Sequence, residues 1–236
     1  MSAVASTRWG AAVLAWGLGL AMGGLGTWGC LGGPAPKAEV GEVPQAMAAA
    51  SVASAAAGPA RAGEFAVDVG FAQSMLLHHQ QALLMVALTQ PRVGEGFGLF
   101  VRRMGEVQTE ELAELRGWLL GREQPLLAQG DLMGWMKNAP GPLTLAEAAY
   151  IDRCAQAPYG MEGMLSPAEV DSLRGLKGDA LERRFSELMV RHHEGAISMA
   201  GFAARHARSA YVRGVAQHML KQQAREVRQM RERANR

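Results

Sequence analysis

The chain writes one phrase twice: HHQQALLM at residues 78–85 and HHEGAISM at residues 192–199. It has six histidines, and four of them stand in these two pairs. In each copy an Ala follows the first His by four residues and a Met follows it by seven. Steps of four and seven are helical steps, so His78, Ala82 and Met85 fall on one line along a helix, and so do His192, Ala196 and Met199.

The repeat extends outward from the phrase. A shift of 114 residues carries Phe71, Met75, His78, His79, Ala82 and Met85 onto Phe185, Met189, His192, His193, Ala196 and Met199. A shift of 115 carries Met104, Gln108, Glu111, Leu112 and Leu115 onto Met219, Gln223, Glu226, Val227 and Met230. Self-similarity of this kind is the signature of a duplicated structural unit. Each unit reads as a helical hairpin, with helices expected near 66–90 and 97–120 and again near 179–206 and 209–233. Pro91 and Gly121 supply the stops in the first copy.

A single hairpin leaves an apolar stripe exposed, and two hairpins bury each other's. No stretch alternates as a strand does. The expected fold is all-α: a ferritin-like four-helix bundle made of two repeated helical hairpins. The connector between them is about 57 residues long, a crossover that such bundles tolerate. Two capping boxes mark short helices within it: Thr144 with Glu147, and Ser166 with Glu169 behind Pro167.

The bulk composition fits one such body. Of 236 residues 49% are apolar and 19% charged, enough for a sizeable core, and a formal net charge of +2 implies no field for nucleic acid. The basic run from Lys221 to Arg236 reads as a solvated helix face. Two cysteines, Cys30 and Cys154, give no disulfide framework and no zinc knuckle. Cys154 is expected as a small buried hydrophobe.

Three segments follow. Residues 1–31 contain an uncharged stretch, 9–31, that is long enough to span a bilayer and equally suits a long signal peptide. Its TWGC ending resembles a lipoprotein cleavage site only in placing Cys30. Every version puts the remainder outside the cytoplasm, with the membrane as a partner through 9–31 if the leader is uncleaved. Residues 32–63, rich in Ala, Gly, Pro and Ser, read as a flexible tether. Residues 64–236 form the bundle.

The repeated residues share an inward helix face. A carboxylate on such a face is costly unless paired. Glu111 and Glu226 therefore call for donors, and the histidines of the facing helices are the nearest; Gln108 and Gln223 lie on the same stripes. That pairing would orient the imidazoles as the outer shell of a metal site does. Imidazole with thioether suits soft or borderline ions, Cu(I) first with Ag(I) as its mimic, and zinc second. The candidate ligands are His78, His79, Met85, His192, His193, Met199, Met75 and Met189, with Met161 and Met164 in the connector as additional ones. The alternative is a structural or partner-binding bundle whose histidines are core hydrogen-bonders without metal.

Catalytic signatures are missing. No Glu precedes a His by three residues, as di-iron bundles require. No Gly-x-Ser-x-Gly or His-Glu-x-x-His occurs. A non-enzymatic role is expected.

The phrases FAQSMLLHHQQALLMVA, VQTEELAELRGWL and GMEGMLSPAEVDSL…RFSELMVRHHEGAISMA resemble the bacterial family called domain of unknown function 305, over roughly residues 66–233. The resemblance implies a ferritin-like four-helix bundle, exported or membrane-anchored, with copper binding and tolerance through Met and His in some members. The residues matching its motifs are Met75, His78, His79, Met85, Met161, Met164, Met189, His192, His193 and Met199. Many members carry more Met and His in their tails; the tether here has only Met47 and no His, which argues against high-capacity loading.

Overall fold

The computed structural model describes residues 65–234. The leader and the tether lie outside the described residues. Four long helices are present, as the repeat requires: α1 (Ala66–Thr89), α2 (Glu95–Leu120), α5 (Gly178–His206) and α6 (Ala210–Ala234). Between them the connector carries α3 (Leu145–Gln156) and α4 (Pro167–Asp171). The described residues contain no strand. None of their helices is long and apolar enough to cross a membrane.

Local chemistry sets the ends. Pro91 lies in a short 3-10 turn, Gln90–Arg92, that closes α1. Both expected capping boxes form: Thr144 and Ser166 each accept the backbone N–H three residues on, while Glu147 and Glu169 bond back. The start of α6 is capped from afar. Asp68, fully buried near the start of α1, accepts the backbone N–H groups of Arg208 at 2.9 Å and Ser209 at 2.7 Å. A carboxylate at the positive end of a helix is favourable, and here it also ties the two hairpins together.

Helix α1 packs on α2 and α5 on α6 as two hairpins; α1 also packs on α5, and α2 on α6. The buried apolar residues fall into two clusters. Met75, before the first His pair, shares a cluster with Ala196 and Met199, after the second; Ala82 and Met85 share the other with Met189. Helices α1 and α5 therefore run antiparallel past each other, and the histidine pairs lie at their crossing, between the two clusters.

The connector is docked onto this crossing rather than looped away from it. Trp135 lies over Gly70, where an added Cβ would come within 2.1 Å of its ring. Its indole N–H donates to the Ser74 hydroxyl (3.0 Å), which donates to the Leu132 carbonyl (2.8 Å). Further on, the Gln81 amide both donates to the Leu165 carbonyl (2.9 Å) and accepts the Leu165 N–H (2.8 Å). On the other helix the backbone at Glu162 and Gly163 presses against Gly195: a Cβ there would lie 2.0 Å from the Glu162 oxygen. Gly163 has a φ of +88°, and its own Cβ would meet the His192 carbonyl at 2.9 Å. The Tyr150 hydroxyl donates to the Gly195 carbonyl at 3.0 Å.

Glu147 locks α3 to the end of α5. It accepts from Arg205 and His206, at 2.9 and 2.6 Å. Burial pushes its carboxyl up, but the bonds from the Thr144 backbone and hydroxyl, His206 and Arg205 outweigh this and hold it at about 2.

Two helix-interior glycines separate packing from propensity. Gly195→Ala is expected to destabilise the fold by about 1–3 kcal/mol through overpacking. Gly214→Ala, with nothing within 4 Å of the new Cβ, is expected to stabilise it by about 0.5–1 kcal/mol. Denaturant midpoints of the two variants check this.

Candidate metal centre

The four histidines converge in one sealed layer. His78, His79 and His193 are fully buried and His192 is 1% exposed. Within each pair the two residues do different things. The second of each pair meets the carboxylate that the sequence left in need of a donor: the His79 Nε2–H donates to Glu111 at 2.8 Å, and the His193 Nε2–H to Glu226 at 2.8 Å. Carboxylates only accept, so both rings carry their proton on Nε2. Each is left with an unpartnered Nδ1 facing the interior of the protein.

The first of each pair meets its own copy. The His78 and His192 rings meet in a tilted contact, with centroids 3.7 Å apart at 44°, across the α1–α5 crossing. No nitrogen of either ring makes a hydrogen bond of full geometry with the side chains and backbone around it, and the Glu162 backbone lies close enough to His78 to oppose part of the lowering of its pKa. One turn before the glutamates, Gln108 has neither amide atom paired, and Gln223 leaves its oxygen unpaired. The two halves differ in one respect: Glu226 also accepts from Gln222 at 2.9 Å, while the second oxygen of Glu111 is free.

Ten of the thirteen buried polar side-chain atoms without a partner among the described residues belong to seven of these side chains, all but Glu226. An unpaired buried polar atom costs about 1–3 kcal/mol. The layer is thus suited to a guest that bonds to several of its atoms at once. Among the described residues no three His, Cys, Asp or Glu side chains form a ready-made cage. Thioethers are therefore the candidates to complete a coordination shell with these nitrogens.

The thioethers are placed for it, on both sides of the layer. Met75, Met199 and Met219 are buried in one cluster, and Met189, Met85 and Met104 hold the symmetry-related places in the other. The connector breaks the symmetry: it adds Met133, Met136 and Met161 to the first cluster, and Leu165, Val170 and Leu173 to the second. Met164 is only partly buried and packs against the first cluster from outside. Every candidate methionine except Met164 is therefore buried in one of the two cores, and Met164 is partly buried against the first.

Burial holds the His78 and His192 imidazoles well below their usual pKa, and neighbouring imidazoles add to the effect, His79 and His193 on His78, His78 and His193 on His192. Both rings are neutral at neutral pH, the form that binds metals.

The sequence did not reveal the cover over this layer. Gln81 and Gly195 occupy equivalent places in the two copies, three residues after His78 and His192. Gln81 grips Leu165 and Gly195 admits Glu162, so residues 162–165 straddle the crossing. The readable signal was the interior Gly of HHEGA where the first copy has Gln.

Two hairpins of matching sequence, closed on a layer of paired histidines, define a class of all-helical bundle. The chain belongs to the family described as domain of unknown function DUF305, which matches residues 68–234. Among solved structures it is similar to a "putative secreted protein" of that family from Streptomyces coelicolor, at 27% identity and TM-score 0.59, over 70% of this chain and 89% of that one. It is similar also to a DUF305 fragment from Deinococcus radiodurans, at 26% identity and TM-score 0.54, over 72% and 95%. CopM in its Cu(II)-bound form aligns at 19% identity and TM-score 0.47, over 71% and 95%, too distant to bear on the site. No curated protein matches the chain.

The lowered pKa values have a sign. In the unfolded chain the two imidazoles take up protons as the pH falls below about 6.5, and in the folded one they resist. Stability is therefore complete above that pH and falls below it, by up to ~1.4 kcal/mol per pH unit for each ring. Denaturant midpoints of the metal-free protein should drop between pH 7.5 and 5.5. The double replacement His78→Leu with His192→Leu should remove most of that drop; an unchanged pH dependence would contradict the assignment.

Proposed function

We propose that this protein binds a soft monovalent metal ion, Cu(I) or Ag(I), at the histidine layer, and serves copper handling outside the cytoplasm. One observation carries the reading: a sealed layer of neutral imidazoles with unpartnered nitrogens, between two methionine-bearing cores. His78 and His192 supply nitrogens from the centre. His79 and His193 supply Nδ1, with Glu111 and Glu226 behind them fixing tautomer and ring plane, the carboxylate–histidine–metal arrangement. Met75, Met85, Met189 and Met199 supply sulfur. Oxygen-seeking ions such as Mg²⁺ and Ca²⁺ find no suitable donors in this set. Zinc suits the imidazoles but not the thioethers. The two rings are in contact, so an ion between them requires them to part.

The uncharged stretch 9–31 and the description given to the Streptomyces coelicolor relative support export. The closed layer favours a binder over a catalyst, because no substrate larger than an ion fits within it.

A second reading has an observation of its own. Among the described residues no three His, Cys, Asp or Glu side chains form a ready-made metal cage, and the two His–Glu pairs brace each hairpin without any ion. In that case trapped water would satisfy the remaining atoms.

Competition against a chromogenic Cu(I) chelator separates the readings. With metal binding, the purified chain takes Cu(I), and the double replacement His78→Ala with His192→Ala abolishes uptake. Met85→Leu and Met199→Leu weaken it with little loss of stability, since Leu nearly conserves the volume. With a structural layer, no variant changes Cu(I) uptake, and His79→Ala or His193→Ala costs about 1–3 kcal/mol by orphaning a glutamate.

A further inference from the structure

The histidine layer is closed on all sides, so an ion that reaches it must pass an element that can yield. Helices α1, α2, α5 and α6 wall it with regular backbone hydrogen bonds. Over the α1–α5 seam the cover is different in kind. It is the irregular segment Gly160–Leu165, with left-handed glycines at 160 and 163 and a backbone in contact with α5 at Gly195.

Few polar bonds fasten that segment. Besides the Gly160 N–H on the Ala157 carbonyl (3.0 Å) and the approach of the Glu162 backbone to His78 and Cys154, they are the paired bonds of Gln81 with Leu165 and an Arg153–Glu162 ion pair at 2.8 Å whose Arg side chain is exposed. An ion pair at the surface contributes little to holding it shut. A surface groove of about 280 Å³ opens beside it, lined by Gln81, Leu84, Tyr159, Met164, Leu165 and Pro167 among others. The sulfur-bearing side chain in this lining is Met164. One turn back is Met161, whose carbonyl accepts the Met164 N–H at 3.4 Å and whose side chain is buried in the same cluster as Met75 and Met199. Gln81, on the groove's wall, stands one helical turn from His78.

Burial orders these methionines: Met164 is partly exposed at the groove, and Met161, Met75 and Met199 are buried together in the core that Met164 packs against. The opposite core receives no thioether from the connector. A soft ion exchanging one thioether for the next needs no water-filled channel, and oxygen-preferring ions gain nothing along such a route.

We propose that the groove at Met164 is the portal for a soft monovalent cation, with Met164 as the capturing thioether and Met161 as the relay to the histidine layer. The proposal rests on the metal-binding reading above. It assigns these two methionines to the kinetics of loading, and the histidines to its equilibrium.

The test uses the full chain and Cu(I) delivered as a bicinchoninate complex, with the rate of transfer and its endpoint both read from the chelator's absorbance. Met164→Leu is expected to load about tenfold more slowly, the factor that ~1.4 kcal/mol of barrier produces, with the endpoint of the unaltered chain. Met161→Leu, which conserves core volume, is expected to slow loading in the same way. His78→Ala with His192→Ala is expected to lose the endpoint. A normal rate in both Met variants, while the His variant loses its endpoint, overturns the portal and leaves the metal site standing. A Met164→Leu endpoint reduced in step with its rate makes Met164 an equilibrium ligand and likewise overturns the portal. Failure of the unaltered chain to take up Cu(I), or normal uptake by the His variant, overturns both.

Discussion

Four imidazoles enclosed in an apolar bundle need groups that the bundle's own apolar side chains do not provide. Two of them find a glutamate on the neighbouring helix of their own hairpin, at 2.8 Å in each copy. Those two bonds fix the ring tautomers, set the register of α1 on α2 and of α5 on α6, and leave the first histidine of each pair directed at its counterpart. The contact of His78 with His192 then defines where the two hairpins cross. Burying a carboxylate is costly, and breaking such a pair costs more than forming it contributes. The paired glutamates are therefore as much a device for specifying one arrangement as a source of stability.

The duplication makes the layer symmetric, and the connector makes it one-sided. At equivalent places one copy has Gln81, whose amide clasps the backbone of Leu165, and the other has Gly195, whose missing side chain lets Glu162 approach. One loop thereby covers both halves of the crossing. The same connector brings three buried methionines to one core and none to the other. Symmetry supplies matched nitrogen donors; its loss supplies a direction of approach.

Much of this was legible in the residues. The paired phrases place the histidines, and the 114- and 115-residue shifts place the helices and foretell that Glu111 and Glu226 seek imidazole donors. Which histidine of each pair would take the glutamate was not legible, because neighbours on a helix differ by only about 100° and both lie within the buried arc. The docking of the connector was hidden for another reason. Contacts of an irregular segment with a distant helix have no period: Trp135 over Gly70, Asp68 capping α6 and Gly163 against His192 leave no spacing to count. Asp68 in particular reads as an ordinary acid in a first helical turn. Only the interior glycine of HHEGA, set against the Gln of its copy, hinted that something presses on α5 there.

Side-chain ¹⁵N NMR of the histidines during titration with Ag(I) watches the ring nitrogens themselves. The ring nitrogens of His78 and His192 are expected to shift on addition of stoichiometric Ag(I), while His79 and His193 keep their Nε2 protons on the glutamates. Buried His78 and His192 signals that stay unmoved, with shifts confined to the exposed His218, would contradict a metal site at the histidine layer.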